Sequence, residues 1–174
     1  MNHSHIQFCV HHQPGCSEAS QSFGCQGGIC QTLDLLQLQA LFQATAFWAQ
    51  DRCLEDLALA IAHSNPVVSA WDDDRLIGFA RATSDTIYRA TIWDVVIHPD
   101  YQGVGLGRKL VETVLAHPAV NRVERVYLMT THQQKFYEHI GFRRNDTTTM
   151  VLYNQSLTGL AEELIGQTAI CPCN

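Results

Sequence analysis

The fold of this 174-residue chain is decided by one stretch, Trp93-Asp94-Val95-Val96-Ile97-His98-Pro99-Asp100-Tyr101-Gln102-Gly103-Val104-Gly105-Leu106-Gly107-Arg108-Lys109-Leu110. A β-branched apolar run, typical of a strand, stops at a Pro-Asp turn, and a glycine-rich loop follows. After the loop, apolar residues recur at helical spacing, at Leu106, Leu110, Val111, Val114 and Leu115. The pattern predicts a strand that leads through a loop to the N-terminus of a helix.

The loop and the helix N-terminus together predict an anion-binding site. The first amides of a helix lack intrahelical partners and point outward, and the helix dipole adds positive potential there. Gly103, Gly105 and Gly107 carry no Cβ atoms, so a phosphate can approach the backbone closely. A Walker loop does not fit because Arg108-Lys109 follows the last glycine, and a dinucleotide fingerprint does not fit because the glycines occupy every second position.

Two motifs resemble the signatures of the GNAT N-acetyltransferase superfamily. Gln102 to Gly107 match every specified position of its acetyl-CoA loop, Gln/Arg-x-x-Gly-x-Gly/Ala. About thirty residues downstream, Phe136 to Phe142 resembles the second signature, a helix end with a Tyr followed by Gly-Phe. Within the superfamily, Trp93 to Pro99 and the Thr83-Ser84-Asp85 turn are most similar to the cyanobacterial and plastid branch. That branch includes arylalkylamine or serotonin acetyltransferases and protein lysine or N-terminal acetyltransferases.

The periodicities predict an element order of ααβββαβαβ. The predicted helices and strands cover residues 35–49, 51–63, 67–71, 75–82, 87–97, 105–117, 123–129, 133–140 and 147–153, with Thr32 or Asp34 at the first helix start. This order resembles the GNAT arrangement. The resemblance implies a mixed α+β fold with a central, mostly antiparallel, twisted sheet that is splayed at the acetyl-CoA site and flanked by helices.

The domain organisation follows from composition. Residues 1–31 read as a flexible Cys-, His- and Gly-rich segment, with a short strand at Ile6 to Val10 and no part in the chemistry. By the resemblance, residues 32–153 would form the acetyltransferase domain, and residues 154–174 are expected to be a C-terminal tail that is weakly helical around Leu160 to Ile165.

Charge and cysteine content restrict the function. A net charge of −6 argues against a nucleic-acid partner, and no apolar run reaches the roughly 20 residues of a membrane helix. Without a signal-peptide pattern we expect a cytoplasmic protein, a monomer or homodimer. Seven cysteines with no Cys-x-x-Cys pair match neither a disulfide framework nor a zinc site, so no metal is expected.

The resemblance implies how acetyl-CoA, the co-substrate, is held. The backbone groups of Val95, Val96 and Ile97 would bond the pantetheine arm and polarise the thioester. The pyrophosphate would lie on the main-chain amides of the loop, and Arg108 or Lys109 would add positive charge. The residues expected to bind the pyrophosphate are Gln102, Gly103, Val104, Gly105, Leu106, Gly107 and Arg108. Thr130 departs from the family, which commonly has an Asn seven residues before the motif Tyr.

Two residues are candidates for proton transfer. By the resemblance, Tyr137 is the general acid for the departing thiolate; the alternative is ordinary packing at a helix end. Asp94, the only carboxylate of the central strand, is either the base or a structural residue, with water then removing the proton. Side chains of neighbouring strand residues alternate, so Trp93 and Asp94 are expected on opposite faces. His98 and His132 are weaker candidates for the base.

These observations predict an acetyl-CoA-dependent N-acetyltransferase acting on a primary amine. A small arylalkylamine- or polyamine-like acceptor is preferred, and a protein lysine or N-terminus is the alternative. A non-catalytic acyl-CoA-binding regulatory module is the competing class, which the presence of Tyr137 disfavours. Trp71, Tyr88 and Trp93 either line an aromatic acceptor pocket or belong to the core.

Overall fold

The structure, a computed structural model, describes residues 5–11, 32–147 and 149–151. Its strands follow one another across a five-stranded sheet: β1 Gln7–His11, β2 Val67–Asp72, β3 Arg75–Ser84, β4 Arg89–Ile97 and β5 Arg125–Leu128. Its α-helices are α1 Leu35–Thr45, α2 Leu54–Ala62, α3 Leu106–Ala116 and α4 Gln134–Glu138. Strands β1 to β4 pair antiparallel, and β5 joins β4 in parallel. The predicted mixed α+β fold with a mostly antiparallel sheet is confirmed.

The chain divides into two compact units, one ending at Thr130 and the other beginning at Thr131. The first contains all five strands and helices α1 to α3, and the second contains α4.

Helices α1 and α2 cover one cluster of the sheet core. Phe42 of α1 meets Phe79 of β3 edge to face, with ring centroids 5.8 Å apart. The cluster also includes Leu38, Leu41, Leu57, Trp71 and Val96, all buried. Asp34 caps α1, because its carboxylate accepts the Leu36 amide at 2.8 Å; of the two predicted starting residues, Asp34 therefore fills the capping position.

Helix α3 carries the apolar stripe that its sequence predicted. Leu106, Leu110, Val111 and Val114 are buried, and the helix packs against β2, β3 and β4. The burial of this stripe fixes the helix N-terminus next to the end of β4, since only the 3-10 turn Pro99–Tyr101 and a short loop separate the two elements.

The strand predicted at Ile6 to Val10 is present as β1, shifted by one residue. All five of its residues pair with β2, and Cys9 and Val10 are buried. This short apolar run pairs there because the edge of β2 offers it backbone partners. Residues 12–31, with Cys16, Cys25 and Cys30, lie outside the described residues.

The strand predicted at residues 147–153 is not seen where the structure can test it. Thr147 and residues 149–151 are described and belong to no strand, while residues 148, 152 and 153 lie outside the described ranges. The tail from residue 154, with its weak helix and Cys171 and Cys173, also lies outside them. In the part of the chain that is described, no helix has the length and apolar character to cross a bilayer.

Candidate active site

A β-bulge interrupts β4 in its middle. Phe79 faces Val96 and Arg81 faces Trp93, so the single residue Ala80 of β3 stands opposite two residues of β4. One of these two, Asp94, has a φ of 56°, in the left-handed region that few non-glycine residues adopt. Bulges bend a strand and redirect its side chains and backbone groups, which is why they often lie beside functional sites.

Strand β4 separates from β5 at the same place. Their parallel pairing ends at Ile92 and Leu128, and β4 then runs to Ile97 with no strand on that side among the described residues. The His98 amide donates to the Ile77 carbonyl at 2.8 Å. By the alternation of an antiparallel ladder, the Val96 amide also faces β3, and the Ile97 amide faces the open edge. Of the predicted backbone contacts, Val96 is therefore engaged by β3, whereas Ile97 is directed to the opening.

The loop after β4 has the backbone geometry that its glycines predicted. Gly103 has a φ of 78° and Gly105 a φ of 88°, a region that L-residues disfavour. Gly105 is the N-cap of α3. A Cβ atom placed on either glycine would have no neighbour within 4 Å among the described atoms, so there is open space in front of the loop. This space lies where the first amides of α3 lack intrahelical partners.

Side chains tie the loop to the sheet. Gln102 donates from Nε2 to the Ile97 carbonyl oxygen at 2.8 Å. The Tyr101 hydroxyl donates to the carboxylate of Asp72 at the end of β2. This hydrogen bond is the main reason that the pKa of Asp72 is lowered and that the pKa of Tyr101 is raised. His5 also contacts Asp72, with 2.6 Å between Nε2 and Oδ1.

The cations at the start of α3 have partners. Arg108 bonds Glu112 one turn later, with 2.7 Å between Nε and Oε1. The Lys109 ammonium lies 4.6 Å from the centroid of the Phe8 ring of β1. Both side chains stay near the helix N-terminus, where positive charge assists the binding of an anion.

The carboxylate of Asp94 is buried between two guanidinium groups. Its Oδ2 lies 2.6 Å from Arg81 Nε and 2.9 Å from Arg52 Nη1, and its side chain is 5% exposed. Arg81 also lies over the ring of Trp93, 5.9 Å from the centroid. Trp93 and Asp94 thus contact the same side chain, and the expectation that they face opposite ways is wrong because the bulge breaks the alternation.

The three aromatic residues considered for an acceptor pocket have different surroundings. Trp71 is fully buried, and its Nε1 donates to Ser69 Oγ at 2.6 Å, so it belongs to the core. Trp93 is partly buried and bonds Thr83 Oγ1 at 2.9 Å. Tyr88 is 58% exposed. Of the weaker base candidates, His98 contacts Arg75, with 2.9 Å between Nε2 and Nη2, and His132 is exposed.

Tyr137 belongs to the second unit and lies in α4. Its ring meets Phe136 and Phe142 edge to face, with centroids 4.9 and 5.9 Å away. Gly141, at a φ of 112°, turns the chain after the helix, and the Phe142 amide donates to the Tyr137 carbonyl. Burial raises the pKa of Tyr137 to about 12, so the phenol is protonated at neutral pH.

The sequence reasoning missed Arg52 and Arg81. Arg81 is the only charged residue between the ends of strand β3, and Asp94 is the only carboxylate in the strand that follows. Two opposite charges in neighbouring, otherwise apolar strands are a signal of a buried pair. Arg52, in the connection between α1 and α2, has no comparable signal. Within the described ranges, no group of three His, Cys, Asp or Glu side chains is arranged to hold a metal ion.

Comparison with known proteins places these features in a family. The model of the acetyltransferase (GNAT) family matches residues 35–142. An uncharacterized N-acetyltransferase ycf52-like of Prochlorococcus marinus is 44% identical over 102 residues, 56% of each chain. The histone acetyltransferase TAP1 of Glycine max is 37% identical over 122 residues, 63% of this chain and 52% of that protein. The chain spans about half to two-thirds of the length of such curated relatives.

Solved structures agree with the family match. A GNAT-family structure from Xanthomonas campestris pv. campestris, described as a putative acetyltransferase, is 32% identical to the chain. It superimposes with a TM-score of 0.63 over 72% of this chain and 89% of that one.

Proposed function

Because the chain belongs to the acetyltransferase (GNAT) family, and within it to the branch of cyanobacteria and plastids, we propose that it transfers the acetyl group of acetyl-CoA to a primary amine. One observation carries this proposal. The strand whose edge opens at the bulge is the strand that leads, through the glycine loop, to the N-terminus of α3. Acetyl-CoA carries its thioester on an extended arm that is joined to a pyrophosphate. It therefore needs an open strand edge for the arm and, next to it, a loop with free amides for the pyrophosphate.

The residues present fit acetyl-CoA. The pantetheine arm would take the place of a neighbouring strand along the open edge of β4, with the backbone of Ile97 and Val95 in reach. The open space in front of Gly103 and Gly105 admits a phosphate group against the loop amides. Arg108 and Lys109 would add positive charge at that end.

The chemistry requires a neutral amine and a stabilised leaving group. The amine nitrogen forms a bond to the thioester carbon, the C–S bond breaks, and the sulfur leaves as a thiolate. A backbone amide on the open edge would stabilise the charge that develops on the carbonyl oxygen. The proton that the amine must lose would pass to water.

Tyr137 is the proposed donor to the departing sulfur. Its pKa of about 12 keeps the hydroxyl protonated at neutral and moderately alkaline pH. A phenol with this pKa is a weaker acid than a thiol, so full transfer of the phenol proton to a thiolate is uphill. We therefore expect Tyr137 to stabilise the sulfur mainly by donating a hydrogen bond, while water supplies the final proton.

The class of amine that accepts the acetyl group is a separate part of the proposal. A small primary amine is the preferred acceptor. A protein lysine or N-terminus is the second candidate, and it is favoured by the similarity to a relative named as a histone acetyltransferase. If the chain binds acetyl-CoA but acetylates nothing, it is instead a regulatory acyl-CoA-binding module.

The decisive experiment measures acetyl-CoA binding and thiol release separately. Calorimetry gives the affinity for acetyl-CoA, and thiol release is then followed with an arylalkylamine, a polyamine, a lysine-containing peptide and a peptide with a free N-terminus. Amine-dependent thiol release, with mass-spectrometric detection of the acetylated product, supports the enzyme. Binding without release for any acceptor supports the regulatory module, and an absence of binding overturns the proposal.

A further inference from the structure

We propose that Asp94 is a positioning residue. Its carboxylate, which is held between Arg81 and Arg52, fixes the β4 bulge in the form that opens the edge of the strand. Through Arg52, the same carboxylate links this edge to the connection between α1 and α2. The proposal rests on the function proposed above and deepens it. It assigns roles to two arginines that neither the family motifs nor the sequence pattern includes.

The backbone at Asp94 needs support from its surroundings. A φ of 56° is sparsely populated for a residue with a Cβ atom, and such a conformation persists only where the structure around it enforces it. Asp and Asn tolerate this region better than other residues. The support is on the neighbouring strand, because Arg81 faces Trp93 in the β3–β4 pairing and reaches Asp94 Oδ2 from there.

Arg81 is itself held in place on three sides. Its guanidinium lies over the Trp93 ring, and its Nη1 donates to Ser64 Oγ at 3.0 Å. The Ser64 hydroxyl donates to the Ala60 carbonyl of α2 at 2.7 Å. The guanidinium therefore joins the bulge to the end of α2, and its geometry is fixed before any substrate binds.

Arg52 makes the second link. Its Nη1 contacts Asp94, its guanidinium carbon lies 5.3 Å from the Phe42 ring centroid, and its carbonyl accepts from Gln39 Nε2 of α1 at 2.8 Å. One carboxylate thus holds together β4, β3 and the connection between α1 and α2. A shift of that connection would reach the bulge through this contact.

The same contacts favour positioning over base catalysis. A general base must reach the proton that it removes, whereas the side chain of Asp94 is 5% exposed, its Oδ2 accepts from Arg81 Nε, and Arg52 forms an ion pair with the same oxygen. If the carboxylate lost its charge, two guanidinium groups would face each other without a counter-ion between them. The pair would separate, and the bulge would lose the contact that holds it.

The first test is the pH–rate profile of Asp94→Asn, which keeps the size and the backbone tolerance of Asp but removes its charge. We expect kcat/KM and the affinity for acetyl-CoA to fall about 10- to 100-fold, the range for a misplaced reacting group. The acidic limb of the profile should keep its midpoint. Disappearance of that limb would make Asp94 the base and overturn the proposal.

The second test uses Arg81→Lys, which keeps the charge but loses the Nε–H donor and the planar stacking on Trp93. We expect it to reproduce the Asp94→Asn defect. In the double variant, kcat/KM should be at most about threefold lower than in the more impaired single variant, since both substitutions break the same contact between Arg81 and Asp94. Multiplied defects would contradict the proposal. Arg89→Lys, in the exposed pair with Glu124 at the other end of β4, is the matched control and should be near normal.

A third measurement does not depend on activity. The Val96 amide faces β3 next to the bulge, so its hydrogen exchange should accelerate at least tenfold in Asp94→Asn, while exchange at Val68 of β2 stays unchanged. Acceleration of both amides, or of neither, would show that Asp94 does not act on the bulge. If the wild-type protein transferred no acetyl group, the proposed function would fail, and exchange and acetyl-CoA affinity would still decide the role of Asp94.

Discussion

Gln102 donates a hydrogen bond from its side chain to the backbone carbonyl oxygen of Ile97, 2.8 Å away. Ile97 is the last residue of β4, and its carbonyl lies on the strand edge that faces away from β3. The bond therefore fixes the distance between the open edge and the glycine loop. The sequence indicated a main-chain role for Gln102 at the pyrophosphate; the structure adds a side-chain role in setting the loop.

Replacing Gln102 by Ala should weaken acetyl-CoA binding about three- to tenfold. The expected loss is that of one hydrogen bond, about 0.5–1.5 kcal/mol, because the loop would no longer be tied to Ile97. Calorimetric titration of the folded variant measures the change. Asn121→Ala, which removes an exposed bond to Ala116 after the other end of α3, is the matched control and should bind normally. Equal affinities for the two variants would contradict the prediction.

Gly105→Val should bind acetyl-CoA far more weakly than the wild type, although the fold is kept. The φ of 88° is strained for any residue with a Cβ atom, by about 1–2 kcal/mol, and the added side chain would occupy the open space in front of the loop. Thermal unfolding measures the strain, and calorimetry measures the affinity.

Gly107→Ala is the matched control for strain at Gly105. Gly107 is the second residue of α3 and is not among the glycines with a positive φ, so an added Cβ atom is not strained there and the stability of this variant should be equal to or higher than that of the wild type. A Gly105→Val protein with the wild-type melting temperature and affinity would show that neither strain nor space matters at the loop.

Removal of residues 1–30 should lower the stability of the protein, because β1 would be lost with its buried residues. Val10→Ala isolates the effect of one side chain, and we expect it to cost about 2 kcal/mol and to lower the melting temperature by about 4–8 °C. Val104→Ala, at a half-exposed valine, should change the melting temperature little. Equal shifts for the two variants would mean that β1 adds nothing to the core.

The sequence was sufficient for the parts of the fold that have a strong local pattern. The apolar run at Val95 to Ile97, the alternating glycines and the stripe of α3 each predict their own structure. The bulge at Asp94 has no such pattern, because the opposite charges of Arg81 and Asp94 signal a buried pair but neither an extra residue in β4 nor the contact with Arg52. Strand β1 is weakly marked, since five residues in a Gly- and Ser-rich segment form a strand only when the edge of β2 is available.

The hydrogen bond between Tyr101 and Asp72 should make the stability of the folded protein depend on pH. The pKa of Asp72 is lowered, chiefly by the Tyr101 hydroxyl, so the stabilisation is present above the ordinary pKa of an Asp, about 3.9, and is lost as pH falls through the lowered value. Between pH 6 and pH 2, the wild-type melting temperature should therefore fall more than that of Tyr101→Phe. Tyr88→Phe, at an exposed tyrosine, should behave as the wild type. Parallel losses in all three proteins would rule out this contribution.

The last prediction concerns Tyr137. Tyr137→Phe keeps the ring contacts with Phe136 and Phe142 and removes only the hydroxyl, so acetyl-CoA affinity should change little. The rate of the chemical step should fall about 10²-fold, the lower range for loss of one hydrogen-bond donor to a developing negative charge. Single-turnover thiol release measures that step without product release, and Tyr88→Phe serves as the control. A near-normal single-turnover rate would remove Tyr137 from the mechanism.

The pH dependence of the wild-type enzyme tests the same assignment independently. Burial raises the pKa of Tyr137 to about 12, so the hydroxyl is retained between pH 7 and pH 10 and is lost only as pH rises through that value. The single-turnover rate should therefore rise as the amine loses its proton and should show no decline near pH 10, the ordinary pKa of a tyrosine. The ratio of wild-type to Tyr137→Phe rates should stay constant over that range. A ratio that collapses near pH 10 would mean that the phenol ionises as if exposed to water, and that the burial of Tyr137 does not hold its proton for the departing thiolate.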